Sequence, residues 1–190
     1  MSAQAVHRLA ASAREPLFTH LAALPAEDVR LRFGTPLARE SIASYVERID
    51  FNRDAVFGVY DERLAIIGAA HVGFFDDAAE LGVSVSIGHR GHGIGSALVV
   101  RASEHARNRR TTRLYMHCLA ENAAMMAIAR RAGMKIVVSA GEADAHIALP
   151  PADPMSVTRE YFTDQLALID FAQKSHIDAL RRAADSAQKS

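Results

Sequence analysis

The chain lacks tryptophan, carries one cysteine, and has only 4 tyrosines and 8 phenylalanines in 190 residues. With Cys118 alone, no disulfide can form within the chain, so a disulfide-stapled extracellular fold is excluded. Neither sign of charge prevails: 22 Lys and Arg against 22 Asp and Glu give a formal net charge of zero. There is then no global field to draw the chain to nucleic acid or to an anionic membrane. No uninterrupted apolar run approaches the ~18 residues that would span a bilayer. The amino terminus has no basic segment followed by an apolar stretch, so no secretion signal is read there and the cytoplasm is the expected compartment. The nine histidines are scattered without H-x-x-x-H or C-x-x-C spacing, and no metal is expected.

What is present is 49% hydrophobic residues, enough for one core of ordinary size, with no internal repeat. One domain over 1–150 with an extension over 151–190 is the economical division. Periodicity predicts a first strand over 6–10, helices over 14–24 and 26–33, and a third helix entered through Thr35-Pro36 and running to Ile49. Strands follow over 55–60 and 64–75, joined through Asp61-Glu62-Arg63 as a hairpin, and then over 80–87. A helix from about Gly93, a strand over 113–119, a helix over 122–132 and strands over 135–139 and 143–149 complete the order. Helices mixed with a meander of strands indicate an α/β (α+β) fold with a mostly antiparallel sheet.

The most informative stretch is Val85-Ser-Ile-Gly-His-Arg90-Gly-His-Gly93-Ile-Gly95-Ser-Ala-Leu98, where a β-branched strand enters a glycine-dense turn and then an apolar helix. Such a turn directs successive N–H groups toward one point, and the helix adds its positive end. That is a phosphate cradle. It is not a Walker A loop, because Gly95 is followed by Ser96-Ala97 and no lysine is present. A dinucleotide fingerprint fails as well, since Ser96 stands at the third glycine position and no acidic residue closes a second strand about 20 residues later.

What remains, Arg90-x-x-Gly93-x-Gly95, resembles the pyrophosphate signature of the GNAT family of acyl-CoA-dependent N-acyltransferases. The likeness continues through Glu121-Asn122-Ala-Ala-Met125 and Arg130-Arg131-Ala-Gly133-Met134, and upstream through Ala79-Glu80-Leu-Gly-Val-Ser-Val85, covering roughly residues 55–140 in the family's order. Within the family it is most similar to bacterial protein-lysine acetyltransferase domains, which carry a glutamate in the A-E-x-x-V context and an R-F segment like Arg32-Phe33.

The resemblance implies the GNAT fold, a splayed sheet flanked by helices, here with a carboxy-terminal helical extension. It implies acetyl-CoA, or coenzyme A, as co-substrate. The main chain of Val83 and Val85 would face the pantetheine arm, and Arg90, Gly91, His92, Gly93, Ile94, Gly95 and Ser96 would hold the pyrophosphate. Asn122 and Met125 would flank the arm, Asn122 also being a good helix N-cap. Arg101, Arg107, Arg109, Arg110 and Arg113 are available for the adenosine 3′-phosphate.

Glu80 is implied as the general base that frees an amine for direct attack on the thioester in a ternary complex. His71 and His117 are lesser candidates. The tyrosine that many members place seven residues after the asparagine is Ala129 here, leaving Tyr115 and Tyr45 as substitutes for that acid. An acyl-Cys118 intermediate is disfavoured, because neighbouring His117 points to the opposite face of a strand.

The acceptor implied is a primary amine, of protein lysine or of a small molecule, which the acidic cluster Asp76, Asp77 and Glu80 would favour. The rival reading is a non-catalytic acyl-CoA-binding sensor. Residues 153–180 carry an apolar stripe at helical period, through which the chain would form a homodimer or cover its own domain.

Overall fold

The computed structural model describes residues 4–187. Strand β1 (His7–Leu9) is followed by helices α1 (Arg14–Ala22), α2 (Ala26–Phe33) and α3 (Arg39–Arg48). Strands β2 (Ala55–Tyr60), β3 (Ile66–Phe75) and β4 (Ala78–Val85) then form a meander. Helix α4 (Ile94–Asn108) crosses to β5 (Arg113–Leu119), and α5 (Ala123–Arg131), β6 (Lys135–Ser139), β7 (Glu142–Ala148) and α6 (Pro154–Ala187) complete the chain. The sheet runs β1-β2-β3-β4-β5-β7-β6, antiparallel except for the β4–β5 pair, which the α4 crossover makes parallel.

Each face of the sheet buries its own cluster. Phe57, Leu81, Leu114 and Met116 pack with Leu98, Val99 and Ala102 of α4. Leu17 and Leu21 of α1 and Ile42 and Val46 of α3 cover Val56 and Ala69 on the other face. The strands alternate accordingly, so that Glu80, Gly82 and Ser84 fall on the α1–α3 side.

The expected elements form, with shifted ends. Helix α3 begins at Arg39 instead of near Thr35: Ala38 is its extended N-cap and offers no side-chain cap. Pro36 biases Thr35 away from helical backbone, and Leu37 packs into the second cluster before the helix can start. Strand β3 begins two residues later than expected, because the Asp61 carboxylate accepts from the N–H groups of Arg63 and Ala65 and Leu64 takes a positive φ of 61°.

The β4–β5 pair positions everything that follows. Only Ala78, Ala79 and Glu80 pair with Arg113, Leu114 and Tyr115. Beyond them β4 stays on β3 through Val85 opposite Gly68, while β5 stays on β7 through Leu119 opposite Glu142. The sheet therefore opens into a wedge at Leu81–Val85.

Helix α6 lies against α4 and the β1–β2 edge. Arg101 of α4, only 3% exposed, donates to Glu160 at 3.0 Å and to Asp164 at 2.5 Å. His7 bonds Asp170 at 3.0 Å, and Lys174 donates to the carbonyl of Tyr60 at 3.1 Å. The helix thus meets its own domain through ionic groups and through Phe171, whose ring packs on His7 and Tyr60. Tyr161, Phe162, Leu166, Leu168 and Ile169 remain exposed. No helix among the described residues is long and apolar enough to cross a membrane.

Candidate active site

Helix α2 roofs the wedge and is fastened there from both sides. Arg30 reaches Glu121 after β5 at 2.7 Å, Asn122 Nδ2 donates to the carbonyl of Leu31 at 3.4 Å, and Arg90 meets Asp28 at 2.5 Å. Beneath this roof a groove of about 350 Å³ runs from the free edge of β4 to the start of α4.

At the α4 end of the groove, Gly91 (φ +79°) and Gly93 (φ +82°) adopt left-handed backbone that side chains rarely tolerate. Gly93 is the N-cap of α4, and no side chain caps the helix, so its first N–H groups lack an intrahelical partner. His89 also lines the groove, and its buried Nδ1 has no hydrogen-bond partner among the described residues. An anion with several acceptor oxygens fits this end.

Most residues anticipated for the donor line this one groove: Val83, Val85, Arg90, Gly91, Gly93, Ile94, Gly95, Ser96, Asn122 and Met125. His92 does not, being exposed on the outside of the turn. Asn122 is buried and caps α5, its Oδ1 accepting from the Met125 N–H at 3.1 Å. Arg90 donates from Nε to the Val85 carbonyl at 3.2 Å, which folds its side chain back along the groove.

The arginines available for the 3′-phosphate lie outside this groove. Arg101 is buried under α6, Arg107 is paired with Asp153, Arg109 lies over the Phe74 ring and Arg113 faces Asp77. Arg110 is likewise outside the groove, which instead takes Arg131 of α5. The Arg130-Arg131-Ala-Gly133 segment carried that signal. Asp28 was foreshadowed by nothing, since only the fold of α2 over the turn brings it to Arg90.

A second cavity, of about 510 Å³, adjoins the first at the α1–α3 side of the wedge. Glu80 lines it, exposed, at the last β4–β5 pair. Asp76 and Asp77 do not; Asp77 is spent at the hairpin turn, on Thr112 and Arg113. The carboxylates that accompany Glu80 are Glu142 and Asp144 of β7, the latter bonded to His117. Cys118 also lines this cavity, with burial and the nearby Asp144 carboxylate pushing its thiol up. It is held as thiol, not thiolate.

Arg32 lines both cavities and marks their boundary. Its guanidinium lies against Gly82, where a Cβ would stand 2.1 Å from Nη2. It stacks on Phe33 and donates to the Tyr45 hydroxyl at 3.2 Å. Tyr45 in turn bonds His71 Nδ1 at 2.7 Å, and His71 Nε2 bonds Asp54 at 3.2 Å.

A groove for a multiply anionic, extended molecule, ending beside a carboxylate at a parted pair of parallel strands, is what the sequence resemblance implied. The model of the acetyltransferase (GNAT) family matches residues 23–134. The chain belongs to the GNAT family. It is accordingly an acetyl-CoA-dependent acetyltransferase.

Comparison with curated protein sequences finds no match. Solved structures share the GNAT fold at low identity. The GNAT domain of S. lividans PAT is 20% identical with a TM-score of 0.65, covering 76% of this chain and 89% of that one. YncA from Salmonella typhimurium, solved with acetyl-CoA, is 16% identical with a TM-score of 0.60, covering 80% and 97%. PaiA N-acetyltransferase from Thermoplasma acidophilum, solved with coenzyme A, is 13% identical with a TM-score of 0.60, covering 77% and 99%.

Proposed function

We propose that this GNAT protein transfers the acetyl group directly from acetyl-CoA to a primary amine, of a protein lysine or a small molecule, with Glu80 as general base. The observation that carries the reading is the position of Glu80 at the last β4–β5 pair, on the wall of the cavity that adjoins the donor groove. The N–H groups at the start of α4 and the Arg90 side chain would hold the pyrophosphate, and the unpaired edge of Leu81–Val85 would hold the amide-rich arm. Acetyl-CoA supplies an activated acyl carbonyl at the far end of that arm.

An alkylammonium has a pKa near 10.4, so presenting it as free amine at pH 7 costs roughly 4–5 kcal/mol. Glu80 accepts that proton directly or through a water. Glu142 and Asp144, which line the same cavity, add to the preference for a cation. Direct transfer is favoured because the one thiol in the cavity is held protonated and has no base bonded to it among the described residues.

The test is thiol release from acetyl-CoA over a panel of amines and lysine peptides, with wild type and Glu80→Gln. Release by wild type that falls about 100-fold in the variant supports Glu80 as base. Equal turnover at every pH removes it.

The same reading includes a homodimer through α6. The exposed Phe162, Leu166 and Ile169 lie along one side of a helix of 34 residues. A second copy of the same stripe, related by a two-fold axis, matches it in length and chemistry. Sedimentation of wild type and Leu166→Glu tests this: a dimer that the variant dissociates is expected, and a monomeric wild type at micromolar concentration ends the idea.

A further inference from the structure

Arg32, Tyr45, His71 and Asp54 form one hydrogen-bonded chain. Asp54 is 3% exposed and sits in the loop before β2. Burial pushes its carboxyl up, but the bonds from Arg53 and His71 outweigh this and hold it below the usual aspartate value. Burial also lowers His71, so the ring is neutral near pH 7. An ionised Asp54 can only accept, so it takes the Nε2–H of His71 and leaves Nδ1 as a lone pair. Tyr45 must then donate its O–H to Nδ1. The phenol oxygen accepts from Arg32 and keeps one lone pair for the cavity that Tyr45, Glu80 and Gly82 share.

Resting on the acyl-transfer reading above, we propose that the Tyr45 hydroxyl is a further catalytic residue, which takes the second proton of the attacking amine and returns it to the departing sulfur, with His71 and Asp54 as positioning residues behind it. The atoms balance. Glu80 removes the first proton from the ammonium, and the amine nitrogen forms its bond to the thioester carbon. The nitrogen, now cationic with two protons, gives one of them to the Tyr45 oxygen and keeps the other as the amide N–H, while the Tyr45 proton moves to His71 Nδ1. The imidazolium so formed lies against the Asp54 carboxylate. When the C–S bond breaks and sulfur keeps the electron pair, the proton runs back through Tyr45 to the sulfur, and the exposed Glu80 releases the first proton to solvent, leaving amide, thiol and the resting site. Arg32 offsets the charge that develops on the phenol oxygen during each passage. Ala129, 1% exposed in the core, provides no hydroxyl for the same task.

Tyr45→Phe is the decisive variant, because the ring keeps its packing on Phe33 at 5.1 Å and loses only the hydroxyl. The expected result is a loss in kcat of about 100-fold, with KM for acetyl-CoA and binding of coenzyme A, read by calorimetry, within about twofold of wild type. The groups that face His71 are Asp54 before β2, Tyr45 of α3, Arg32 of α2 and Glu80 of β4. Asp54 favours the imidazolium, so Asp54→Asn is expected to lower kcat and to move the acid limb of the kcat profile to lower pH. His71→Gln, which keeps a partner for Asp54 and loses Nδ1, is expected to lose that limb. Turnover of Tyr45→Phe like that of wild type overturns the proposal while leaving acyl transfer intact, as does an Asp54→Asn enzyme that is slower without any shift of the limb. A wild type that binds coenzyme A but releases no thiol with any amine overturns the acyl-transfer reading, and the relay with it.

Discussion

Arg90 Nη2 and Asp28 Oδ2 stand 2.5 Å apart across the mouth of the donor groove, one on the glycine turn and the other on the helix that roofs it. The pair joins the glycine turn to α2. It also places a carboxylate, 13% exposed at the side chain, within the site of an anionic donor. Binding of a diphosphate must therefore compete with Asp28 for the guanidinium.

Asp28→Asn is expected to tighten coenzyme A binding by roughly 3- to 10-fold at low salt, about 0.6–1.4 kcal/mol, by removing that competition. The gain should shrink as ionic strength rises and screening sets in. Isothermal titration at two salt concentrations reads both, and weaker binding by the variant would show that Asp28 serves mainly to hold α2 in place.

Gly82→Ala is expected to displace Arg32, because the new Cβ would lie within 2.3 Å of three guanidinium atoms. Arg32 is the boundary between the two cavities, so the change should lower kcat more than it raises KM for acetyl-CoA. Steady-state kinetics with the best acceptor of the panel checks the split.

His20 should make stability fall in mild acid. Burial lowers it to about 4, and neutral His20 bonds the Ile66 carbonyl and the Ser84 hydroxyl at 3.0 and 2.9 Å. The unfolded histidine takes its proton near pH 6.5 and the folded one only near 4, so the unfolded state binds more protons between these values. Stability from this group is full above about 6.5 and declines as pH falls toward about 4, by roughly 3 kcal/mol at ~1.36 kcal/mol per unit. Urea midpoints across that range should slope accordingly, and His20→Asn should flatten the slope.

Glu160 ties α6 to α4. Burial raises its carboxyl, yet the bonds from His105, Asn108 and Arg101 prevail and hold it at about 2. Its contribution is complete above the ordinary glutamate value near 4.5 and is lost as pH falls toward about 2. Glu160→Gln leaves the buried Arg101 guanidinium with Asp164 as its one carboxylate partner among the described residues and should cost about 1–3 kcal/mol. Thermal melting of the variant at neutral pH measures it.

Strand and helix boundaries were legible wherever periodicity and a breaker coincided, as for β5 at Arg113–Leu119 and β6 at Lys135–Ser139, both at the expected residues. They were not where a side chain redirected the backbone, as Asp61 does before β3. The donor groove was legible because most of its residues lie in two short segments, 83–96 and 122–131. The second cavity was not, since Arg32, Tyr45, His71, Glu80 and Asp144 come from five different elements.

By itself the sequence determined the glycine turn, the helix it opens and the family that uses them, because these rest on local backbone conformation and on spacing within one segment. Only the tertiary structure decided that Arg101 pairs with α6 and Arg107 with Asp153 just before it, that Asp28 meets Arg90, and that Tyr45, His71 and Asp54 form one chain. Those are pairings of charges and hydrogen-bonding groups far apart in sequence, and their partners are chosen by how the helices pack on the two faces of the sheet.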